Sequence, residues 1–127
     1  MRIISGNLKN KKLNFPKSLK TRPLKDNVKE NIFNIIEHSN KIEVKIKNSQ
    51  ILDLYAGIGS FGLECVSRGA KKISFVENDK VALTNLKMNI VSLKVEQQTS
   101  IYSLNIINFF KDIKSLGKFD IVFLDPP

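Results

Sequence analysis

The second half of the chain alternates short apolar runs with longer segments of helical periodicity. Four nearly all-apolar runs predict strands at 51–55, 72–76, 100–104 and 119–124. Three segments between them predict helices at 57–68, 80–91 and 106–113. Strands that are almost entirely apolar are typical of parallel sheets covered by helices on both faces. The pattern therefore predicts an α/β fold with a parallel sheet.

The first 48 residues carry weaker signals. Runs 2–5 and 11–15 flank Gly6 and a lysine-rich stretch, which predicts a small hairpin that cannot form a core alone. Residues 21–23, Thr-Arg-Pro, are interpreted as a linker, and Asp26 is predicted to cap a helix that packs on the main domain. The apolar positions of that helix are Val28, Ile32, Phe33, Ile35 and Ile36. We thus predict a basic arm over 1–25 and a domain over 26–127.

Composition and charge change this picture in one respect. With 127 residues, 42% hydrophobic and 26% charged, the chain has the profile of one globular domain. Residues 1–30 hold nine Lys or Arg against two acids, so +7 of the net charge of +9 lies there. A basic arm beside a balanced domain is typical of a protein that binds a polyanion, although a merely solvated lysine-rich surface is the alternative. The candidate nucleic-acid contacts are Arg2, Lys9, Lys11, Lys12, Arg22 and Lys25.

Several classes of protein receive no support from the sequence. No run approaches the ~20 apolar residues of a membrane span, and the first residues lack the apolar core of a signal peptide, so we expect a cytoplasmic protein. Cys65 is the single cysteine, and its apolar surroundings predict a packing role. His38 is the only histidine and has no second ligand beside it, so no metal site is expected.

A glycine turn follows the first predicted strand. Residues 57–62 fit G-x-G-x-x-G, which alone is compatible with a dinucleotide, with S-adenosylmethionine (SAM) or with close packing of a helix. Glu77, at the tip of the second strand, suits the hydroxyls of a ribose. Asp53 favours SAM, because a pyrophosphate avoids a nearby carboxylate whereas the ammonium group of SAM is attracted to it. The alternative is a strand aspartate that only accepts hydrogen bonds from the turn amides.

Several motifs in a fixed order carry a family resemblance. Residues 53–64 read DLYAGIGSFGLE, residues 67–70 read SRGA and residues 75–77 read FVE. The chain opens with MRIISG, residues 21–34 read TRPLKDNVKENIFN, and residues 119–127 read FDIVFLDPP. Together these motifs resemble the bacterial 16S rRNA guanine-N2 methyltransferase family over nearly the whole chain.

The resemblance implies a Rossmann-like class I SAM-dependent methyltransferase fold that transfers a methyl group to N2 of a guanine in 16S rRNA. It implies SAM without a metal, and naked rRNA or a small-subunit particle as the partner of a monomer. Three residues depart from the family pattern, namely Asn105 where aspartate is usual, Leu24 where threonine is common and Asn27 where arginine is common. The implied SAM-binding residues are Asp53, Tyr55, Ala56, Gly57, Gly59, Glu77, Asn78, Asn105 and Asp125.

The candidate catalytic residues are Asp125, Pro126 and Pro127, which follow the last strand. Proline fixes φ, so the loop is stiff and its acceptors point in set directions. Asp125 and the Pro126 carbonyl are expected to accept the two N–H groups of the guanine amine, which directs its lone pair toward the methyl group for a direct displacement. The base must then be flipped or unpaired. An Asp-Pro-Pro that merely ends a strand is the alternative.

The family motif continues beyond Pro127 with an aromatic residue that stacks on the target base, and with further strands. We therefore expect 119–124 to be left as an apolar edge strand, either because this chain is C-terminally truncated or because a partner covers that edge, and we expect the chain to have severely reduced activity by itself. Other hypotheses stay open. These are a fragment that binds SAM or RNA without catalysis, a methyltransferase acting on another RNA or DNA base amine, and a nucleotide-dependent oxidoreductase domain.

Overall fold

The computed structural model describes residues 1–18, 24–112, 114 and 116–127. Its helices are α1 (Asp26–His38), α2 (Ser60–Ser67), α3 (Lys80–Leu93) and α4 (Ile106–Lys111), with a short 3-10 turn at Glu96–Gln98. Its strands are β1 (Gln50–Leu54), β2 (Lys72–Val76), β3 (Thr99–Tyr102) and β4 (Ile121–Leu124). All four predicted strands and all three predicted helices between them are present, with ends shifted by a few residues. Within the described residues, no helix has the length and apolarity that crossing a membrane requires.

The strands form one parallel sheet in the order β3-β2-β1-β4. The central strand is β1, and its last residue, Leu54, pairs with Val76 of β2 and with Leu124 of β4. Because the three strands end at the same level, the residues that follow them meet at one edge of the sheet. β4 lies at an outer edge of the described sheet, where Val122 and Leu124 are exposed as predicted.

Helix α2 is buried on all sides, since each of its eight residues is buried. Gly62 allows it to lie close to the sheet, because a Cβ at this position would come within 2.3 Å of Cε1 of Phe75 and 2.8 Å of Cγ2 of Ile73. The third glycine of the G-x-G-x-x-G motif therefore serves the packing of helix on strand.

The predicted N-terminal hairpin is present as a short antiparallel pairing without regular strands. Residues 2–5 and 11–15 form one bridge, between Arg2 and Lys12, and the amides of Ile3 and Leu13 donate across the pair to the carbonyls of Lys11 and Met1, each at 2.9 Å. The pairing extends no further because the neighbouring backbone groups bond to side chains of the main domain. The amides of Ile4 and Ser5 donate to Glu64, and the amide of Asn14 donates to Asn89.

The hydrophobic core is shared across residue 25. Ile3 and Leu13, from the predicted arm, lie in the same buried cluster as Phe33 of α1, Ile51 of β1 and Phe75 of β2. The prediction that the arm cannot form a core alone agrees with this packing. The division into an arm and a domain at residue 25 stays a prediction.

Helix α1 differs from expectation at its start and in its buried face. Lys25, not Asp26, is the N-cap residue, and no side chain caps the helix. The Asp26 carboxylate instead lies 3.8 Å from Nε of Arg2. Val28 and Ile35, predicted on the packed face, are 40% and 57% exposed, because Phe33 and Lys29 occupy the buried side. The predicted linker over residues 21–23 lies outside the described residues.

Lys29 is buried because it has charged and polar partners in the interior. Its Nζ lies 3.4 Å from Oε1 of Glu64 and donates to Oγ of Ser60 and to the carbonyl of Arg2, at 3.1 and 3.2 Å. Glu64 also accepts from the amides of Ile4 and Ser5, at 2.8 and 3.0 Å, and from Nε of Arg68 at 3.0 Å. Buried charges are tolerated when they are paired and fully hydrogen-bonded in this way.

Replacing Lys29 with methionine should lower the free energy of unfolding by about 3 kcal/mol, because the buried Glu64 carboxylate loses a cation while Arg68 still neutralises it in part. Chemical denaturation of the purified variant measures this loss. The matched control is Asp26→Asn, which removes the exposed pair with Arg2 and should cost less than about 1 kcal/mol. Equal losses for the two variants would contradict the importance assigned to the buried network.

Candidate functional site

A cavity of about 1100 Å³ opens at the carboxyl ends of β1, β2 and β4. Its volume is slightly above the range of about 300–1,000 Å³ that is typical of small-molecule sites. Most of the residues predicted from the sequence line it. These are Asp53, Tyr55, Ala56, Gly57, Glu77 and Asn78 among the cofactor candidates, together with the loop Asp125, Pro126 and Pro127. The structure thus brings the glycine turn and the Asp-Pro-Pro segment to the same cavity.

The turn after β1 is built from residues in the left-handed region. Tyr55, Gly57 and Gly59 have φ values of 56°, 59° and 89°. The turn is closed by the amide of Gly59, which donates to the carbonyl of Ala56 at 2.9 Å. A Cβ at Gly57 would meet no atom within 4 Å, so this glycine leaves open space for a ligand. A Cβ at Gly59 would lie 2.5 Å from Cδ1 of Leu86, so that glycine serves packing and does not line the cavity.

The side chain of Asp53 is buried in β1, where the residue is 2% exposed. Its Oδ2 accepts a hydrogen bond from the Gly62 amide at 3.1 Å, in the first turn of α2. Burial raises the pKa of the Asp53 carboxyl well above its usual range; the Gly62 bond opposes this, and the negative charges of Asp125 and Glu77 raise it further. Asp53 therefore accepts a backbone hydrogen bond, as expected of an aspartate with a structural role. It also lines the cavity, where a cationic ligand would stabilise its charged form.

Glu77 organises the backbone around the turn. Its carboxylate accepts from the Gly57 amide at 2.7 Å, and from the amides of Asn78 and Asp79 at 2.8 and 2.9 Å. A carboxylate has about four lone-pair sites, so one acceptor position remains for a ligand hydroxyl. The sequence did not predict that Glu77 connects the end of β2 to the glycine turn.

Asp79 also lines the cavity and was missed by the sequence analysis. Its side chain accepts from the Ala82 amide at 2.8 Å, which makes it the N-cap of α3. An aspartate immediately before a helical segment is a cap signal that could have identified this role.

Asn105 lies apart from the other cofactor candidates. It does not line the cavity, and its Oδ1 accepts from the Asn108 amide at 2.8 Å as the N-cap of α4. Its acceptor oxygen therefore caps the N-terminus of α4. Contact between Asn105 and an adenine stays a prediction.

Apolar side chains that the sequence analysis did not assign to the site form much of the cavity wall. Phe15 and Leu24 come from the N-terminal segment, while Phe61 and Phe123 come from α2 and β4. The rings of Phe61 and Phe123 stack with centroids 3.8 Å apart, and Phe61 stacks in turn on Phe33 at 5.1 Å. Only the tertiary structure brings these rings to the cavity.

The candidate nucleic-acid contacts that the structure describes lie on the surface. Arg2 and Lys12 line a shallow depression of about 620 Å³, and Lys9, Lys11 and Lys25 are exposed as well. Arg22 lies outside the described residues. Lys29, which was counted in the charge of the arm, is buried against Glu64 and is not available to a polyanion.

Two residues singled out by the sequence lie away from the cavity. Cys65 is buried in α2, and burial raises the pKa of its thiol well above the usual range, which agrees with a packing role. His38 is the exposed last residue of α1. Among the described residues, no three His, Cys, Asp or Glu side chains are grouped so that they could hold a metal ion.

Known proteins similar to this chain agree with its architecture. The Ribosomal RNA small subunit methyltransferase D of Haemophilus influenzae is 39% identical over 128 residues, which cover 100% of this chain and 63% of that protein. The chain thus spans less than two thirds of that relative's length. The hypothetical protein TTHA0928 of Thermus thermophilus has a solved structure with a TM-score of 0.82 at 26% identity, covering 100% of this chain and 69% of its own.

A more distant structure, SMU.776, was crystallised with S-adenosylhomocysteine (SAH) and gives a TM-score of 0.62 over 80% of this chain and 25% of its own. At 16% identity this likeness concerns the fold alone. The predicted Rossmann-like class I fold is confirmed, and so is the resemblance to bacterial rRNA methyltransferases. The family profile described as Conserved hypothetical protein 95 matches residues 1–127, and the chain belongs to that family.

Proposed function

We propose that this protein binds SAM in the cavity and transfers its methyl group to the exocyclic N2 of a guanine in small-subunit ribosomal RNA. One observation carries the proposal. The glycine turn after β1 and the buried carboxylate of Asp53 in that strand line the same cavity as the Asp-Pro-Pro segment after the adjacent strand β4. The similarity to a ribosomal RNA small subunit methyltransferase supports the choice of substrate class.

The residues present suit SAM better than a dinucleotide. Asp53 is a carboxylate with Glu77 and Asp125 nearby, which attracts the ammonium group of SAM and repels a pyrophosphate. The open space at Gly57 lets a ligand approach the backbone. The remaining acceptor position of Glu77 suits a ribose hydroxyl. When bound, SAM supplies an electrophilic methyl group.

The protein's task is to orient the guanine amine, which is a poor nucleophile because its lone pair is delocalised into the ring. The Asp125 carboxylate and the Pro126 carbonyl accept its two N–H groups, so that the lone pair points into the cavity. After transfer, the nitrogen carries one proton too many, and Asp125, which accepts one of its N–H groups, takes this proton. The rings of Phe61 and Phe123 form an apolar wall of the same cavity.

The exposed cations of the N-terminal segment supply the affinity for RNA. The side chains of Arg2, Lys9, Lys11, Lys12 and Lys25 are exposed, and that of Arg2 also pairs with the exposed Asp26. Contacts of such residues with phosphates release condensed counterions, so binding weakens steeply with salt. Naked 16S rRNA and the small-subunit particle are the two candidate forms of the substrate.

The proposal is tested with the protein as its gene encodes it, incubated with labelled SAM and small-subunit RNA or particles that lack the modification. Digested RNA should contain N2-methylguanosine. Asp125→Ala should lower the rate about 100- to 1000-fold, because the amine loses a preorganised acceptor. The control, Asp112→Ala, changes an exposed aspartate that does not line the cavity and should keep the wild-type rate.

Three outcomes would contradict the proposal or a part of it. A methyl group found on another atom or another RNA would overturn the substrate assignment. Absence of product, with SAM binding demonstrated in parallel, would leave a protein that binds the cofactor without this activity. Equal rates for Asp125→Ala and Asp112→Ala would remove Asp125 from its catalytic role.

The raised pKa of Asp53 makes cofactor binding depend on pH. A cationic group binds the carboxylate form, so affinity for SAH should rise as pH rises through this pKa and fall on acidification. Stability of the free protein should change in the opposite sense. The folded-state pKa is above the unfolded value, so the contribution of Asp53 is present at low pH and is lost as pH rises through the folded-state pKa.

Asp53→Asn should weaken SAH binding about 10- to 100-fold at neutral pH and flatten the pH dependence, because a charged hydrogen bond is lost. Calorimetric titration with SAH between about pH 5 and pH 8 measures both effects. An unchanged pH profile in Asp53→Asn would show that another group controls binding.

A further inference from the structure

Asn89 is an entirely buried polar residue on α3 that the proposed chemistry does not use. Its side chain connects two separate segments of the chain. Oδ1 accepts from the Asn14 amide at 2.6 Å, and Nδ2 donates to the Asn14 carbonyl at 3.2 Å and to the Ile58 carbonyl at 3.1 Å. One amide group therefore holds the backbone of the N-terminal segment and the backbone of the glycine turn together.

The residue after Asn14 is part of the cavity. Phe15 is half-buried, packs against the hydrophobic core and lines the cavity together with Ile58. Ile58 lies between the two glycines of the turn that approaches the cofactor in the proposed function. The bonds of Asn89 thus fix the position of Phe15 relative to this turn.

We propose that Phe15 contacts the cofactor bound in this cavity, and that Asn89 is the positioning residue that holds Phe15 over the glycine turn. This inference rests on the proposed function, in which the cavity binds SAM. Its physical basis is that an aromatic side chain stabilises a bound ligand by removing apolar surface from water, and that a backbone already fixed in the bound position loses less conformational entropy on binding. The two carbonyls and one amide bound by Asn89 provide that fixation.

The alternative is that Asn89 merely satisfies buried backbone groups. In that case, replacing Asn89 would lower the stability of the fold, and any effect on ligand affinity would be the same with or without Phe15. A positioning role predicts instead that the effect of Asn89 on ligand affinity passes through Phe15. A double-mutant cycle separates these cases, because two residues that act through one contact have non-additive effects.

Calorimetric titration with SAH is made on wild type, Phe15→Ala, Asn89→Ala and the double variant. Each single variant should bind about tenfold more weakly, and the double variant no more weakly than Phe15→Ala. The matched control is Asn85→Ala, one turn earlier on α3, where the side chain bonds only to its own helix at the Val81 carbonyl. It should bind as wild type does.

A spectroscopic measurement follows Phe15 itself. The protein is labelled with fluorophenylalanine, and the resonance of Phe15 is assigned by its loss in Phe15→Leu. Addition of SAH should shift this resonance in wild type and in Asn85→Ala, and should shift it much less in Asn89→Ala. Because Phe15 is only half-buried, Phe15→Ala should fold even if Asn89→Ala does not, and it tests the contact independently.

The outcomes distinguish this inference from the proposed function. If wild type fails to bind SAH, the proposed function is overturned and this inference with it. If wild type binds but Phe15→Ala binds equally well, or the Phe15 resonance does not respond to SAH, the contact is overturned while the proposed function stands. Additive losses in the double variant would overturn the positioning role of Asn89.

Discussion

The carboxylate of Glu64 is the group on which the assembly of this structure depends. It is fully buried in the middle of α2, and it receives bonds from Ile4 and Ser5 of the N-terminal segment, from Lys29 of α1 and from Arg68 after α2. A buried charge left without partners costs several kcal/mol, so these segments must come together for the fold to form. The N-terminal segment is consequently an integral part of the core.

This arrangement reaches the functional site directly. Lys29 donates to the hydroxyl of Ser60, which is the first residue of α2 and lines the cavity. On the other side of the turn, Asn89 connects Asn14 to the carbonyl of Ile58. The segment that carries exposed cations is thus linked to the start of α2 through Lys29 and to the glycine turn through Asn89. A polyanion bound to that segment would lie on a surface fixed relative to the cavity.

Charge is separated within the molecule in a way that suits the two ligands of the proposed function. Asp53, Glu77, Asp79 and Asp125 line the cavity and give it an acidic interior that suits a cationic cofactor. The exposed lysines and arginine of residues 1–25 face solvent and suit phosphates. The acidic interior has a cost for the free protein, since burial and neighbouring charges raise the pKa of Asp53. Binding of a cation offsets this cost.

Much of this structure was determined by sequence alone. The runs of apolar residues predicted every described strand of the sheet. Nine residues predicted for the site line the cavity, and they come from the glycine turn with its preceding aspartate, from the end of β2 and from the Asp-Pro-Pro segment, several of them through the family resemblance. The strand and turn signals are local, because apolar runs, turn glycines and residues at strand ends follow from neighbours along the chain. The predicted site residues meet at one edge because the carboxyl ends of parallel strands lie on the same side of the sheet.

Only the tertiary structure determines which residues depart from the burial and the hydrogen bonding that their local sequence predicts. Lys29 is buried because Glu64, distant in sequence, lies opposite it, and the N-terminal hairpin is cut short because Glu64 and Asn89 take amides that would extend its ladder. Phe15 lines the cavity next to Asn14, whose backbone bonds to Asn89 on α3. Each of these outcomes depends on a hydrogen bond or ion pair between residues whose proximity no periodicity in the sequence encodes.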